Sequence, residues 1–242
     1  MAKLEEGDNW QEYYTADYFS GQGKDSPYPT DGRYLDPEHP IVWDKFVELH
    51  RVVSSKDPVR HAGRLRLLDI GCGPAHTEAI WRRLDPSIDA FNSDGFEGVA
   101  KFAAGRGASR VFVAGLTDLP VVSDYFGAVS IWDVIEHVPE EIAQRAVDEA
   151  YRVLADGGVL AIRTPNRYTW TNKYRKDSGH LWFATPGLLA KMFVQAGFPE
   201  GEQWIKTRGF PGTRLWQQVN GGGDIYCPFG GGVIVATAKK RG

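Results

Sequence analysis

The residues best placed to do chemistry are Leu67-Leu68-Asp69-Ile70-Gly71-Cys72-Gly73-Pro74-Ala75. An apolar run ends in an acid and breaks at once into a glycine-rich turn, and a helix is expected from about Ala75. In a doubly wound sheet this junction presents backbone N–H groups to a nucleotide-like ligand. Spacing narrows the choice of ligand. Dinucleotide loops place a third small residue at the sixth position, so that the helix packs close. Counting from Gly71 that position is His76, and the small residues here fall at the first, third and fifth positions. A second signal is Asp94, which stands 25 residues after Asp69 at the end of Ala90-Phe91-Asn92-Ser93-Asp94. A carboxylate there accepts both hydroxyls of a ribose and selects a ribose without a phosphate. Its other reading is an N-cap for the next helix.

Three later segments extend this set. In Leu116-Thr117-Asp118-Leu119-Pro120, Leu116 can stack on a base while Thr117 or Asp118 meets its amine; Asp-x-Pro segments are also common turns. Trp132-Asp133-Val134-Ile135-Glu136-His137-Val138 falls where a strand ends, and ligands of open α/β sheets sit outside the carboxyl ends of strands. The third runs from Gly157 to Arg167, with Gly179-His180-Leu181-Trp182 beyond it. His137 and His180 are the candidate bases, because the ordinary pKa of His suits proton removal near neutral pH. Glu136 is expected to cap or solvate the following helix, and His76 to be a surface or helix-start residue. His39, His50 and His61 fall outside the site. No His/Cys spacing resembles a zinc site and no carboxylate pair reads as a metal site, so no metal is expected.

Positioning these residues requires alternating strands and helices. Strands are expected over about 65–70, 88–93, 110–114, 126–132, 159–164, 203–207 and 233–238. Helices are expected over about 75–84, 96–104, 140–154 and 186–196, with Gly157-Gly158 marking the end of the third. Such alternation predicts an α/β, Rossmann-like, mostly parallel sheet with helices on both faces. Ahead of it, Ile41, Val42, Phe46, Leu49 and Val53 recur at helical spacing, which predicts an amphipathic helix over 40–54 docked on the sheet. Residues 1–38 carry Trp10, Tyr13, Tyr14, Tyr18, Phe19, Tyr28 and Tyr34. That is too aromatic for a disordered tail and too irregular for a strand. Two readings stay open, a lid over the ligand and an arm packed on the domain surface. The expected division is 1–60, an aromatic N-terminal arm and helix on the substrate side, and 61–242, the ligand-binding domain. Within the latter, 207–232 reads as a glycine-rich flap bearing Phe210, Trp216, Tyr226 and Phe229. Loops of this length are usually functional or disordered, and such aromatics favour a planar or hydrophobic small molecule, or a sugar ring.

The chain has 242 residues, a net charge of −3 and a pI near 6.1, enough for one domain with a good core. Its one basic cluster, Lys239-Lys240-Arg241, reads as a solvated tail, so nucleic acid is not favoured as a partner. Cys72 and Cys227 do not make a disulfide framework and suit a reducing cytoplasm. Cys72 reads as a small loop residue, not a nucleophile. No apolar run reaches about 18 residues and no signal-peptide pattern opens the chain. The expectation is a soluble cytoplasmic protein.

Taken in order, LLDIGCG, an acid after the second strand, LTDLP, IEHV, GGVLAIRTPNR, the His180-Leu181 patch and Gly197-Phe198 resemble class I S-adenosylmethionine (SAM)-dependent methyltransferases. The resemblance is to the broad small-molecule group that includes the ubiquinone-biosynthesis O-methyltransferases. It covers about 64–200 well, 201–242 loosely and 1–60 hardly at all. It implies a seven-stranded sheet whose last strand is antiparallel and lies between strands 5 and 6. It implies SAM as cofactor, with S-adenosylhomocysteine (SAH) as product. Gly71, Cys72 and Gly73 would hold the methionyl part and Asp94 the ribose, with Asp69 and Gly95 also among the cofactor-binding residues. Leu116 and Thr117 would lie near adenine, and Trp132 or Asp133 near the sulfonium. Ala75 replaces a frequent glycine. Gly115 stands where many relatives carry an acid, so Asp118 or packing would hold the adenine. His137 lies where relatives often carry a structural His.

The implied activity is methyl transfer to a small-molecule acceptor, at oxygen. The alternatives are a macromolecular acceptor (RNA or protein) and a SAM-binding scaffold that transfers no methyl. Displacement from a sulfonium needs no protein nucleophile; alignment and exclusion of water are the main demands.

Overall fold

The computed structural model describes residues 16–22, 30–168, 179–208 and 232–242. The sheet is built around β1 (Leu65–Ile70) and β4 (Phe126–Trp132). Both read as near-continuous apolar runs and both are buried, as strands covered on two faces must be. Adjacent residues of a strand point to opposite faces, and β1 shows it. Leu65 and Leu67 join one core, and Leu68 and Ile70 join the other.

In chain order the other elements are α1 (Ala16–Ser20), α2 (Pro40–Ser54), α3 (His76–Leu84), β2 (Ile88–Asp94), α4 (Glu97–Gly105), β3 (Val111–Val113), α5 (Glu140–Val153), β5 (Leu154–Pro165), α6 (Pro186–Ala196), β6 (Gln203–Arg208) and β7 (Val233–Lys239). The seven strands run β3-β2-β1-β4-β5-β7-β6. β7 pairs antiparallel with both β5 and β6, and the other pairings are parallel. This is the sheet that the resemblance implies. From β1 the chain winds outward to β2 and β3, then returns to β4 on the other side. The order therefore reverses between β1 and β4, and a crevice opens at their carboxyl ends.

Helices cover both faces. On one, Val42, Phe46 and Leu49 of α2 and Ile80 and Trp81 of α3 pack on Leu67, Ala128 and Ala161. The Trp81 indole N–H donates to the Phe46 carbonyl at 3.0 Å and fixes α2 against α3. On the other, Val147 and Ala150 of α5 and Leu189 and Phe193 of α6 pack on Leu68, Val129 and Leu160. α6 has a sequence-encoded start and stop. Thr185 caps the Leu188 N–H at 3.1 Å with Pro186 next, and Gly197 ends the helix at φ 108°.

One boundary expectation fails. Gly157-Gly158 does not end the preceding helix, which stops at Val153. β5 begins at Leu154, and the glycines lie inside it, at a register shift between Phe126↔Leu154 and Ala128↔Val159. A Cβ on Gly158 would come 2.7 Å from the Ala155 carbonyl, so the irregularity requires glycine there. β6 runs through Arg208, so the expected flap loses its first residues to a strand. Its core, with Phe210, Trp216, Tyr226 and Phe229, lies outside the described residues, as do Trp10, Tyr13, Tyr14 and Tyr28. Among the described residues no helix is long and apolar enough to cross a membrane.

Candidate active site

From Ile70 the backbone turns through Gly71 (φ 68°), Gly73 (φ 50°) and Ala75 (φ 59°), all in the left-handed region. At Gly71 a Cβ would lie 2.5 Å from Val134 Cγ2, so only glycine fits. Ala75 carries the same conformation with a Cβ, at a cost of about 1–2 kcal/mol. The loop is tied to β2. The Cys72 N–H donates to the Ser93 carbonyl at 2.9 Å, and the Gly73 N–H to Asp94 Oδ2 at 3.2 Å. Those two N–H groups are therefore spent inside the protein, and the loop offers a ligand its shape and its other groups. Burial, with Asp69 and Asp94 nearby, pushes the Cys72 thiol well up, so it stays protonated at neutral pH.

Against this loop lies a cavity of about 840 Å³. Asp69, Gly71, Cys72, Gly73, Asp94 and Gly95 line one side. Leu116 and Thr117 also line it, as do Trp132, Asp133 and His137 at the end of β4. Asp118 is not part of the wall, whereas Gly115 is. His180 stands behind His137, with ring centroids 4.7 Å apart.

Other wall residues come from far away in the chain: Tyr18, Phe19, Tyr34, Phe46 and Leu181. Phe46 belongs both to the α2 core face and to the wall, its ring 5.5 Å from that of Trp132. His76 starts α3 but is not a surface residue. It lies edge-on to Tyr34, and its Nε2 donates to the Tyr34 carbonyl at 2.7 Å. Burial, then Arg106, hold its pKa near 4, so the ring is neutral. Local spacing carries no hint of this, because the partner sits 42 residues upstream.

The acids of the site differ in environment. Asp94 accepts from the N–H groups of Gly73 and Phe96, at 3.2 and 3.1 Å. Burial still holds its carboxyl above the usual range. A carboxylate has about four lone-pair positions, so Asp94 can organise the loop and also receive hydroxyls. Asp69 accepts from the Ser130 hydroxyl, and burial pushes it up to about 7. Asp133, at φ 53°, is paired with Arg163. Glu136 neither caps nor solvates a helix. It is buried, accepts from Thr164 Oγ1 at 3.1 Å, and is pushed well up by burial and then by Asp133.

Three buried polar atoms of the wall residues have no hydrogen-bond partner: His76 Nδ1, Trp132 Nε1 and Asp133 Oδ1. An orphaned buried group costs roughly 1–3 kcal/mol, and a polar ligand is one way to satisfy it. Together with the Gly71 cradle and the open positions of Asp94, they fit a cofactor that carries a ribose and a charged amino-acid tail. One further grouping is not apparent from sequence spacing, which gives no reason to expect a metal. Glu136, His137 and His180 each bring a ligand atom within 4.8 Å of the others, a set that could hold a metal ion. Sequence spacing hides it, because His180 lies 43 residues after His137.

A family model described as a methyltransferase domain matches residues 44–199. No curated protein sequence matches the chain. Among solved structures it is similar to a SAM-dependent methyltransferase from Archaeoglobus fulgidus, at TM-score 0.62 and 19% identity, over 82% of this chain and 94% of that one. It is also similar to a possible histamine N-methyltransferase from Thermotoga maritima, at 0.56 and 20%, over 86% and 99%. A third similarity is to a phosphoethanolamine N-methyltransferase from Haemonchus contortus in complex with phosphomonomethylethanolamine and SAH, at 0.65 and 14%, over 93% and 60%. At these identities the structures establish a shared fold.

Proposed function

The chain belongs to the methyltransferase domain family, and from that premise we propose that it moves the methyl group of SAM to oxygen on a small-molecule acceptor. The observation that carries this reading is the single cavity that joins the Gly71 loop and Asp94 to the histidine corner at the end of β4. Its volume lies toward the upper part of the roughly 300–1,000 Å³ of ligand pockets, room for a cofactor and a small acceptor. Bound SAM supplies a methyl group on a leaving group that is already activated.

The residues of this chain would divide the remaining work. Gly71 and Gly73 let the backbone approach the methionyl part, and Asp69 faces its positive charge. Asp94 takes the ribose hydroxyls, while Leu116 and Thr117 flank the adenine. Trp132, Phe46 and Tyr34 exclude water and align the acceptor. The acceptor proton leaves toward the His137–His180 corner. His137 Nδ1 donates to the Gly179 carbonyl at 2.8 Å, which places the lone pair on Nε2. The net charge of −3 supports a small molecule over nucleic acid, and residues 1–60 are read as the substrate-side arm.

Calorimetric titration with SAH tests the cofactor half, repeated with Asp94→Ala. Two lost hydrogen bonds to a charged group, at about 1.5–3 kcal/mol each, predict at least a hundredfold weaker binding. Equal affinity in a folded variant would remove Asp94 from the site. A screen of hydroxylated acceptors with labelled SAM then tests the acceptor half.

A further inference from the structure

We propose that Glu136, His137 and His180 form a binding site for one divalent transition-metal ion of the zinc type, and that this ion receives the acceptor's oxygen. The inference rests on the reading of the cavity as a methyl-transfer site and names the class of acceptor it takes: a molecule with a hydroxyl group able to bind a metal.

The set has the composition such an ion requires. Two imidazoles and a carboxylate are the three protein ligands of a catalytic zinc site, which leaves a further position for a substrate atom. Their ligand atoms lie within 4.8 Å of one another, close enough for small side-chain adjustments to bring them onto one ion. The two residues from the β4 end have the supporting contacts that hold ligands in place. The carbonyl of Gly179 can only accept, so His137 Nδ1 donates to it and Nε2 carries the lone pair. Glu136 Oε2 receives the Thr164 hydroxyl, while Oε1 is buried with no hydrogen-bond partner. Glu136 itself is 1% exposed, so that oxygen is sheltered from water.

The corner is also braced. The Trp182 indole N–H donates to the carbonyls of Ile135 and Val138, at 3.0 and 2.7 Å. The Leu181 N–H donates to the Glu136 carbonyl at 2.8 Å. The segment that carries His180 is thus pinned to the turn that carries Glu136 and His137, from both sides of the histidine. Residues held this way present a fixed donor set. His137 lines the cavity, so an ion here sits at its edge.

The chemistry follows from the ion's charge. A hydroxyl bound to a divalent cation loses its proton near neutral pH. With the histidine lone pairs on the ion, the proton passes to solvent instead of to His137, and the oxygen pair forms the bond to the methyl carbon. The carbon–sulfur bond breaks with its pair retained on sulfur, which discharges the sulfonium. Oxygen, carbon and sulfur balance with no oxidant or reductant.

Cobalt(II) is the probe, because its visible absorption reports coordination number. Chelator-treated full-length protein should take up one equivalent, with the intense bands of a four- or five-coordinate ion, and zinc should displace it. His180→Ala should weaken cobalt binding at least tenfold, and Glu136→Gln should do the same if it folds. Absence of saturable cobalt binding to folded wild type overturns the proposal, and so does unchanged affinity in His180→Ala. SAH calorimetry on the same samples separates the two readings. SAH binding without cobalt binding ends the metal site and leaves methyl transfer standing. Cobalt binding without SAH binding does the reverse.

Discussion

The cavity end against β1 and β2 comes mainly from one stretch of chain, Asp69 to Gly95, and its shape is set by backbone, with Phe19 of the arm against Gly73. The end against β4 and β5 is assembled from Tyr34, Phe46, Trp132, His137 and Leu181, with His180 behind His137, and its character is set by side chains. At the first end Cys72 and Gly73 spend their N–H groups on β2, and Asp94 closes the loop onto the start of α4. At the second, the Phe46 ring of α2 leans on Trp132, the Tyr34 ring of the arm meets His76, and His180 lies edge-on to His137. A backbone-built end suits a ligand that never changes. A side-chain-built end can be altered residue by residue without disturbing the loop, as a variable acceptor requires.

That contrast predicts opposite responses to substitution. The largest effect is expected at Gly71. Gly71→Val adds left-handed strain of about 1–2 kcal/mol and overpacking against Val134 of about 1–3 kcal/mol. SAH affinity should fall by two orders of magnitude or more, read by calorimetry, with a lower melting temperature. Adding Val134→Ala should recover only the packing share. Full recovery would show that shape, not backbone conformation, decides this end. His137→Ala should act the other way. Turnover falls about 10²- to 10⁴-fold, the range of a lost proton-transfer group, while SAH affinity stays within about twofold. An equal loss of SAH affinity would mean that the two ends are one unit.

How much was legible follows the same divide. The sheet, the loop and Asp94 were readable because each depends on local pattern: apolar runs, a glycine at a positive φ, an acid at a strand end. Even there Gly157-Gly158 misled, since the same dipeptide ends helices and permits strand irregularities, and only the register with β4 tells them apart. The other end was half-legible. His137 and His180 stood out by type, but their contact depends on Trp182 and Leu181 folding back onto the β4 turn. Glu136 looked like a solvated helix-start acid because polarity alone says nothing of burial. His76 looked peripheral because Tyr34 and Phe46, which bury it, lie 42 and 30 residues upstream.

A smaller effect is expected at Asp69, and its sign can be worked out. The folded state holds this proton up to about pH 7, while an unfolded chain releases it near 4. Folding is therefore favoured below about pH 4, and that share is lost as pH rises through 7. Asp69→Asn cannot release a proton, so it should gain stability relative to wild type between pH 4 and pH 7, by on the order of 1 kcal/mol per pH unit at most. Urea unfolding at three pH values reads this. A constant difference would show that Asp69 is ionised in the folded protein throughout. Bound positive charge should pull the pKa down, so SAM binding near pH 6 should release protons, visible as buffer-dependent heat.

Phe19 gives the smallest effect and the sharpest test of the divide, because it belongs to the remote arm yet touches the backbone-built end. Its ring stacks on Phe102 with centroids 6.3 Å apart. Its edge atoms come within 3.3–3.4 Å of where a Gly73 Cβ would be. If the arm roofs the cofactor, Phe19→Ala should weaken SAH binding about 3- to 10-fold, matching an aromatic contact of roughly 0.5–1.5 kcal/mol. The acceptor KM would then barely move. If the arm serves the acceptor instead, the KM rises and SAH affinity holds. The second result would show that the boundary between the two ends runs through α1, and that side chains far away in sequence shape the loop end as well.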